Sequence, residues 1–275
     1  MSDAPPSFLS ALLAQGRPLI MAVLNVTPDS FSDGGRFLDP AKALEQAERM
    51  TAEGADVIDV GAESTRPYGG AVPVSAEDEL ARLAPIFGKV VGLGVPVSID
   101  TLKPEVAAWA LDRGAAMIND VWGLQRDAGL ATLAAERQVP VVIMHNRDKA
   151  DPAIDILADI DAFFRRSLAI AERAGIAREQ IVLDPGIGFG KTPQQSMAAI
   201  AQLARFKCFG LPLLVGASRK RFITAVSPSE PDRRLGGSLA AHLLAVENGA
   251  AIVRVHDVAE TAQALRVAAA IRGLP

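Results

Sequence analysis

A single cysteine, Cys208, in a chain of 275 residues excludes an internal disulfide framework and suits a reducing cytosol. There is no basic tract. The 28 basic residues are interspersed with 32 acidic ones, for a formal charge of −4, so nucleic acid is not an expected partner. No apolar run approaches the roughly 18 residues of a membrane span. Residues 1–20 lack both a basic n-region and a long apolar h-region, so they do not read as a signal peptide. The expected class is a soluble cytoplasmic protein without a membrane partner. Nor does any Pro-, Gly- or Ser-rich linker divide the chain, so residues 1–275 are expected to form one domain, with 1–17 as an N-terminal extension. With 49% hydrophobic residues, the chain has enough apolar material for a large core.

What is present is a regular alternation. Short apolar runs at 19–26, 56–61, 95–100, 117–121, 139–145, 181–186, 211–217 and 251–257 read as strands. Between and after them, Ala-, Leu-, Glu- and Arg-rich stretches near 39–53, 76–92, 103–113, 127–137, 155–174, 193–207, 233–248 and 258–272 read as helices. Strand–helix alternation implies a parallel sheet, and near-continuous apolar strands imply one covered by helices. Eight such units in 275 residues match an α/β fold consisting of a single (β/α)8 TIM barrel. An open doubly wound sheet is the alternative. It would usually have fewer strands at this length, and no Gly-x-Gly-x-x-Gly turn follows the first run.

In such a barrel the chemistry lies at the C-terminal mouth. The apolar runs end in Asn25, Asp59 (with Glu63 beyond), Asp100, Asn119 and Asp120, His145, Asp184, Ser218–Arg219–Lys220, and Arg254 with His256. Strand ends are often polar, but buried-type runs ending in this many ionisable groups point to a site. Side-chain alternation sets Arg254 and His256 on one face, Asp184 on the face of Val182, and Asp100 on the face of Ser98. The chain has only three histidines, and His145 is as well placed for a structural role as for the site. Carboxylates and an amide (Asp100, Asn119, Asp184) suit a neutral heterocycle rich in N–H donors. Cations (Lys220, Arg254, with His256) suit phosphate or another anion.

Three loops complete the rim. The first strand runs into "TPDSFSDGG" (27–35), a polar loop with one large apolar residue, Phe31. The second is followed by "GAESTRPYGG" (61–70), with a cation at its centre. The sixth continues as "PGIGFGKTP" (185–193), in which Phe189 lies between glycines as Phe31 lies among small residues. Here Thr192 and Pro193 read as the N-cap and first residue of a helix, and Lys191 as a solvated loop charge.

"LNVTPDSFSDGG", "ESTRP", "SIDT", "IND", "DPGIGFGK", "SRK" and "RVHD" follow in order, one after nearly every strand. Over about residues 18–273 the chain resembles the dihydropteroate synthases of bacterial folate synthesis, in a pterin-binding barrel family. The resemblance implies condensation of 6-hydroxymethyl-7,8-dihydropterin diphosphate with p-aminobenzoate, giving 7,8-dihydropteroate and diphosphate. It implies a pterin pocket of Asp100, Asn119, Asp184 and Lys220, and a diphosphate site of Arg254 and His256. Asn25 would hold Mg²⁺, and Arg254 would also lie over the flat pterin face. Thr65, Arg66, Pro67 and Phe31 would belong to two closing loops. Phe189 and Ser218, with Arg219 beside it, would lie on the p-aminobenzoate side. Lys220, Arg254 and His256 would carry the catalysis. A homodimer and sensitivity to sulfonamides are implied as well. Two positions depart from the family pattern. Tyr68 separates Pro67 from Gly69, and Arg221 follows Lys220 where some members have serine, so the p-aminobenzoate carboxylate would turn to backbone N–H groups there.

The chemistry expected is a loose displacement in which electrostatic stabilisation of departing diphosphate outweighs acid–base work. A pterin-dependent corrinoid methyltransferase is the alternative. It would share the barrel and the pterin pocket, but should lack Asn25, the "ESTRP" arm, Arg254 and His256. A non-catalytic pterin-binding protein should have lost one or more of the same groups.

Overall fold

The computed structural model describes residues 8–27, 39–63 and 74–273. Eight parallel strands close into a barrel in chain order: β1 (Leu19–Asn25), β2 (Val57–Gly61), β3 (Val97–Asp100), β4 (Met117–Asp120), β5 (Val141–Met144), β6 (Ile181–Asp184), β7 (Leu213–Val215) and β8 (Ala250–Val255). Closure is made by β8 against β1, with Leu19 opposite Ile252 and Ala22 opposite Val255. The helices are α1 (Phe8–Leu13), α2 (Pro40–Ala52), α3 (Ala76–Leu83), α4 (Phe87–Val91), α5 (Pro104–Leu111), α6 (Ala128–Arg137), α7 (Ile156–Ala174), α8 (Pro193–Ala201), α9 (Arg221–Val226), α10 (Leu235–Glu247) and α11 (Val258–Ile271).

The strands are apolar on both faces because each face joins a different core. One set of side chains, including Ile20, Ala22, Ile58, Val60, Ile99, Ile118, Ile143, Leu183 and Val253, packs outward on the helices. The alternate set, Leu19, Met21, Val57, Met117, Val142, Val182, Leu214 and Ile252, fills the lower interior of the barrel. The helix α1, in the stretch expected to be a mere extension, inserts fully buried Leu9 into that inner cluster. It plugs the end of the barrel opposite the mouth.

Local chemistry sets the ends of the elements. Pro96, Pro140 and Pro212 each immediately precede a strand or stand one residue before it, where no N–H is required. Their carbonyls still accept from Ile58, Ile118 and Leu183 of the neighbouring strand, at 2.9–3.0 Å. Asp39 caps α2, with Pro40 in its first position, and Asp155 caps α7, which ends at left-handed Gly175. Thr192 caps α8 in a reciprocal pair with Gln195. The helix expected over 76–92 is two helices, because Pro85 cannot donate into a continuous helix. The one expected over 193–207 ends at Ala201 and continues as a 3-10 segment, Leu203–Phe209.

Because α1 is remote from the mouth, its contribution is to stability. Leu9→Ala should cost roughly 2–5 kcal/mol through the cavity it leaves, with ligand affinity of the folded protein unchanged. Urea denaturation beside a ligand titration tests both halves. A loss of affinity with no loss of stability would contradict it.

Candidate active site

Above the apolar interior the same inward-facing positions turn polar. Strand alternation carries the inner face of β2 from Val57 to Asp59, of β3 from Ser98 to Asp100, of β4 from Met117 to Asn119, of β6 from Val182 to Asp184, and of β8 from Ile252 to Arg254. Register then sets these groups side by side: Asp59 is opposite Ser98, Asp100 opposite Asn119, and Met144 opposite Asp184.

Arg254 is the centre. Its Nε donates to Asp59 Oδ2 at 2.6 Å and its Nη2 to Asp100 Oδ2 at 2.7 Å. Asn119 Nδ2 donates to the same Asp59 oxygen at 2.9 Å. Asp59 and Ser98 are wholly buried, and Asp100 and Asn119 nearly so. One guanidinium thus faces two carboxylates, and Oδ1 of Asp59, Oδ1 of Asp100 and Oγ of Ser98 have no hydrogen-bond partner within the described residues. Burial pushes the Asp100 carboxyl up to about 8, against the pull of Arg254 and with the repulsion of Asp59 added. Asp184 is also raised by burial, opposed mainly by Lys220. Its Oδ1 accepts from the Gly186 N–H at 2.7 Å.

The other side of the mouth is cationic and aromatic. Lys220 Nζ lies 4.4 Å from the centre of the Phe189 ring and donates to the Ile187 carbonyl. Phe189 belongs to a small apolar wall with Val121 and Met144, backed by Leu102 and Trp122. Ser218 Oγ sits 2.9 Å from His256 Nδ1 and accepts from the His256 N–H at 3.3 Å. Arg219 adopts a left-handed backbone, φ 57°, and its guanidinium pairs with Asp257. Asn25, half-buried, ends β1 at the same rim.

Of the residues expected in the site, Asp100, Asn119, Asp184, Phe189, Ser218, Lys220, Arg254 and His256 line one mouth, with Asn25 at its edge and Arg219 turned toward Asp257. Phe31, Thr65, Arg66 and Pro67 lie outside the described residues. Asp120 and Lys191 depart from the sequence expectation, and His145 takes the structural one of its two readings. Asp120 follows the inward Asn119 and therefore points away. Its carboxylate accepts the N–H groups of Trp122 and Leu124, at 2.8 and 2.6 Å, and pins a turn. His145, likewise off the inward face, is wholly buried and bonds to Asp159. Lys191 is not solvated but 2% exposed, packed under the glycine loop. Glu63 is drawn aside by Lys103, which also binds buried Glu79. Asp59 was visible as a strand-end carboxylate but had been given no role. The alternation that selects Asp100 selects it equally. Among the described residues no group of three or more His, Cys, Asp or Glu side chains could hold a metal ion, and no helix is long and apolar enough to cross a membrane.

A parallel barrel carrying acceptors for an N–H-rich ring beside cations for an anion defines a class of pterin-binding enzymes, and residues 21–256 match the pterin binding enzyme family. A dihydropteroate synthase of Bacillus subtilis (strain 168) is 45% identical over 255 residues, 92% of this chain and 88% of that protein. A Clostridium difficile dihydropteroate synthase structure, determined in the presence of pteroic acid, is 45% identical with a TM-score of 0.88, covering 93% of this chain and 97% of that one. A Xanthomonas albilineans dihydropteroate synthase structure with 4-aminobenzoic acid is 43% identical with a TM-score of 0.89, covering 94% of each chain. The chain belongs to the pterin-binding enzyme family, among its dihydropteroate synthases, which are transferases.

The raised Asp100 carboxyl has a consequence for stability. Folded Asp100 keeps its proton up to about 8, whereas the unfolded chain loses it near 3.8. Between those values the folded state binds more protons, so this group's contribution to stability falls as pH rises through the window. Asp100→Asn should flatten that slope and make the protein relatively more stable near pH 8. Urea denaturation at about pH 5 and about pH 8 measures it, and an unchanged slope in the variant would contradict the assignment.

Proposed function

We propose that the protein joins 6-hydroxymethyl-7,8-dihydropterin diphosphate to p-aminobenzoate, releasing diphosphate and forming 7,8-dihydropteroate. The observation that carries this is the Arg254 cluster: buried carboxylate oxygens of Asp59 and Asp100 that have no hydrogen-bond partner among the described residues, beside Asp184 and within one mouth with Lys220 and His256. Such oxygens suit the amino and ring N–H groups of a pterin, which would satisfy acceptors that are costly to leave unpaired in a buried site. Asn119 would add an amide to the same edge, and Lys220 would donate to the acceptor side of the ring. Arg254, already held edge-on by two carboxylates, would offer its flat face to the heterocycle. Pteroic acid and 4-aminobenzoic acid, present with the two similar synthase structures, agree in chemical class with the product and the co-substrate.

The reaction needs little acid–base machinery. The amine nitrogen attacks the pterin methylene, the carbon–oxygen bond to diphosphate breaks, and the amine proton leaves to solvent. The ring can share positive charge developing on the methylene, so the step is a loose displacement whose main demand is neutralising the leaving group. Arg254 and His256 would supply that, with Lys220 holding the ring in line. Ser218, 2.9 Å from His256 Nδ1, would orient the imidazole. Phe189 and Ser218 would form the p-aminobenzoate side, while Arg219, a substrate-binding candidate from the sequence, pairs with Asp257. Thr65, Arg66, Pro67 and Phe31 would belong to the loops that exclude water, in line with the resemblance.

Mg²⁺ fits the residues present in a limited way. No acidic cluster supplies a dedicated cage among the described residues, but Asn25 at the end of β1 offers an amide oxygen at the rim. Mg²⁺ is commonly held by one or two protein groups together with substrate phosphates and water. Asn25 would be that protein ligand, and the ion would supply charge neutralisation to the diphosphate. A corrinoid methyltransferase would have no use for Asn25, Arg254 and His256 together.

A homodimer is the proposed assembly. Leu244 on α10 and Val267 and Ile271 on α11 are 53%, 54% and 80% exposed, and the two helices adjoin each other. A second copy of the chain would bury this face.

Incubation with the dihydropterin diphosphate, p-aminobenzoate and Mg²⁺ should release diphosphate. Release independent of p-aminobenzoate would overturn the synthase function. Asp184→Ala should weaken pterin binding by roughly 1–3 kcal/mol in a calorimetric titration, and unchanged affinity would remove Asp184 from the pocket. Val267→Lys combined with Ile271→Lys should convert a dimer to a monomer in light scattering. A dimer that persists would place the interface elsewhere.

A further inference from the structure

The glycine-rich segment after β6 is held down by a residue that the chemistry above does not use. Gly186 and Gly190 let it press, backbone to backbone, on the turn after β5. A Cβ at Gly186 would lie 1.9 Å from the His145 carbonyl oxygen, and one at Gly190 2.4 Å from Arg147 Cβ and 2.5 Å from the Arg147 carbonyl oxygen. Both glycines have left-handed backbones, with φ of 65° and 54°. Beneath this contact lies Lys191. Its Nζ is 2.6 Å from His145 Nδ1, 2.8 Å from the Gly186 carbonyl, 3.1 Å from the Phe189 carbonyl and 3.4 Å from the His145 carbonyl. Each of these is an acceptor facing the Lys191 nitrogen, whose charged form burial disfavours. Burial and the nearby Lys191 hold His145 neutral, with its pKa lowered to about 4. Its Nδ1 therefore accepts from Lys191, and its Nε2–H donates to Asp159 Oδ2 at 3.0 Å. Arg147 donates to the same oxygen at 2.7 Å.

The segment that Lys191 ties together contains Asp184's partner N–H at Gly186, the Ile187 carbonyl that receives Lys220, and the Phe189 ring beneath the Lys220 ammonium. We infer that Lys191, anchored through His145 to Asp159, is a positioning residue that sets Lys220 and Phe189 for the pterin. This inference rests on the function proposed above. Lys191 touches no substrate in this scheme and acts through Lys220. A buried lysine that merely stabilised the fold would lower stability without coupling to one particular side chain at the mouth.

A double-mutant cycle makes the distinction. Dihydropterin diphosphate is titrated calorimetrically into wild type, Lys191→Met, Lys220→Met and the double variant, with the fitted stoichiometry reporting the folded fraction. Lys191→Met should weaken binding about tenfold in the wild-type background and less than about twofold once Lys220 is already Met. Equal factors in both backgrounds, or unchanged affinity in Lys191→Met, would overturn the inference. If Lys191→Met does not fold, Asp159→Asn, at the half-buried end of the chain of bonds, replaces it in the same cycle. It should give a smaller weakening that again disappears in the Lys220→Met background, and additivity would again overturn the inference. Wild type that neither binds the pterin nor releases diphosphate would refute the proposed function instead, which keeps the two failures apart.

Discussion

Arg254 spans the barrel mouth and holds two carboxylates at once, and the rest of the site is arranged around that shortage of positive charge. Asp59 and Asp100 come from neighbouring strands and converge on one guanidinium. Two buried negative charges against one positive would be costly if both were fully ionised. The cost falls on Asp100, whose carboxyl is raised. Each carboxylate has one oxygen bonded to the protein and the other without a hydrogen-bond partner among the described residues. A ligand edge rich in N–H donors is the natural complement. In the proposed function, binding such an edge would favour the charged form of Asp100.

The barrel makes this cluster affordable. Its inner face is apolar from α1 up through Leu19, Met21, Val57, Met117, Val142, Val182, Leu214 and Ile252. It becomes ionic only in the next layer. The apolar plug isolates the charges from solvent on one side and leaves them open on the other. Each strand contributes alternate residues to the ligand side and to the helix layer, so an ionic group can be presented without breaking the core behind it.

Order at the opposite wall depends on a different device. Lys220 is a flexible side chain, yet it is fixed by the Ile187 carbonyl and the Phe189 ring. Those belong to a turn clamped by close glycine contacts and by the buried Lys191. The turn is almost wholly buried, so these contacts are part of the packed structure. The carboxylate side is rigid because it sits on strands; the cationic side needs this added buttress because it sits on turns.

Much of the site could be read along the chain because period-two alternation is a local property. The runs ending in Asp100, Asn119, Asp184 and Arg254 determine which residues share a face, and the strand–helix repeat determines that all faces meet at one mouth. The same alternation, extended to every run, sets Asp120 and His145 off the inward face and Asp59 on it, a step the sequence reading did not take. Pro96, Pro140 and Pro212 stand immediately before strands, whereas Pro85, read as part of one helix over 76–92, divides it in the structure. What the chain alone did not disclose were relations between segments far apart in sequence: that Arg254 would reach Asp59 and Asp100 together, that Leu9 would close the far end of the barrel, and that Lys191 would be buried. A lysine among glycines looks solvated because nothing local supplies acceptors. Only the approach of the β5 turn, allowed where Gly186 and Gly190 have no Cβ, brings His145 over it and turns a loop charge into part of the core.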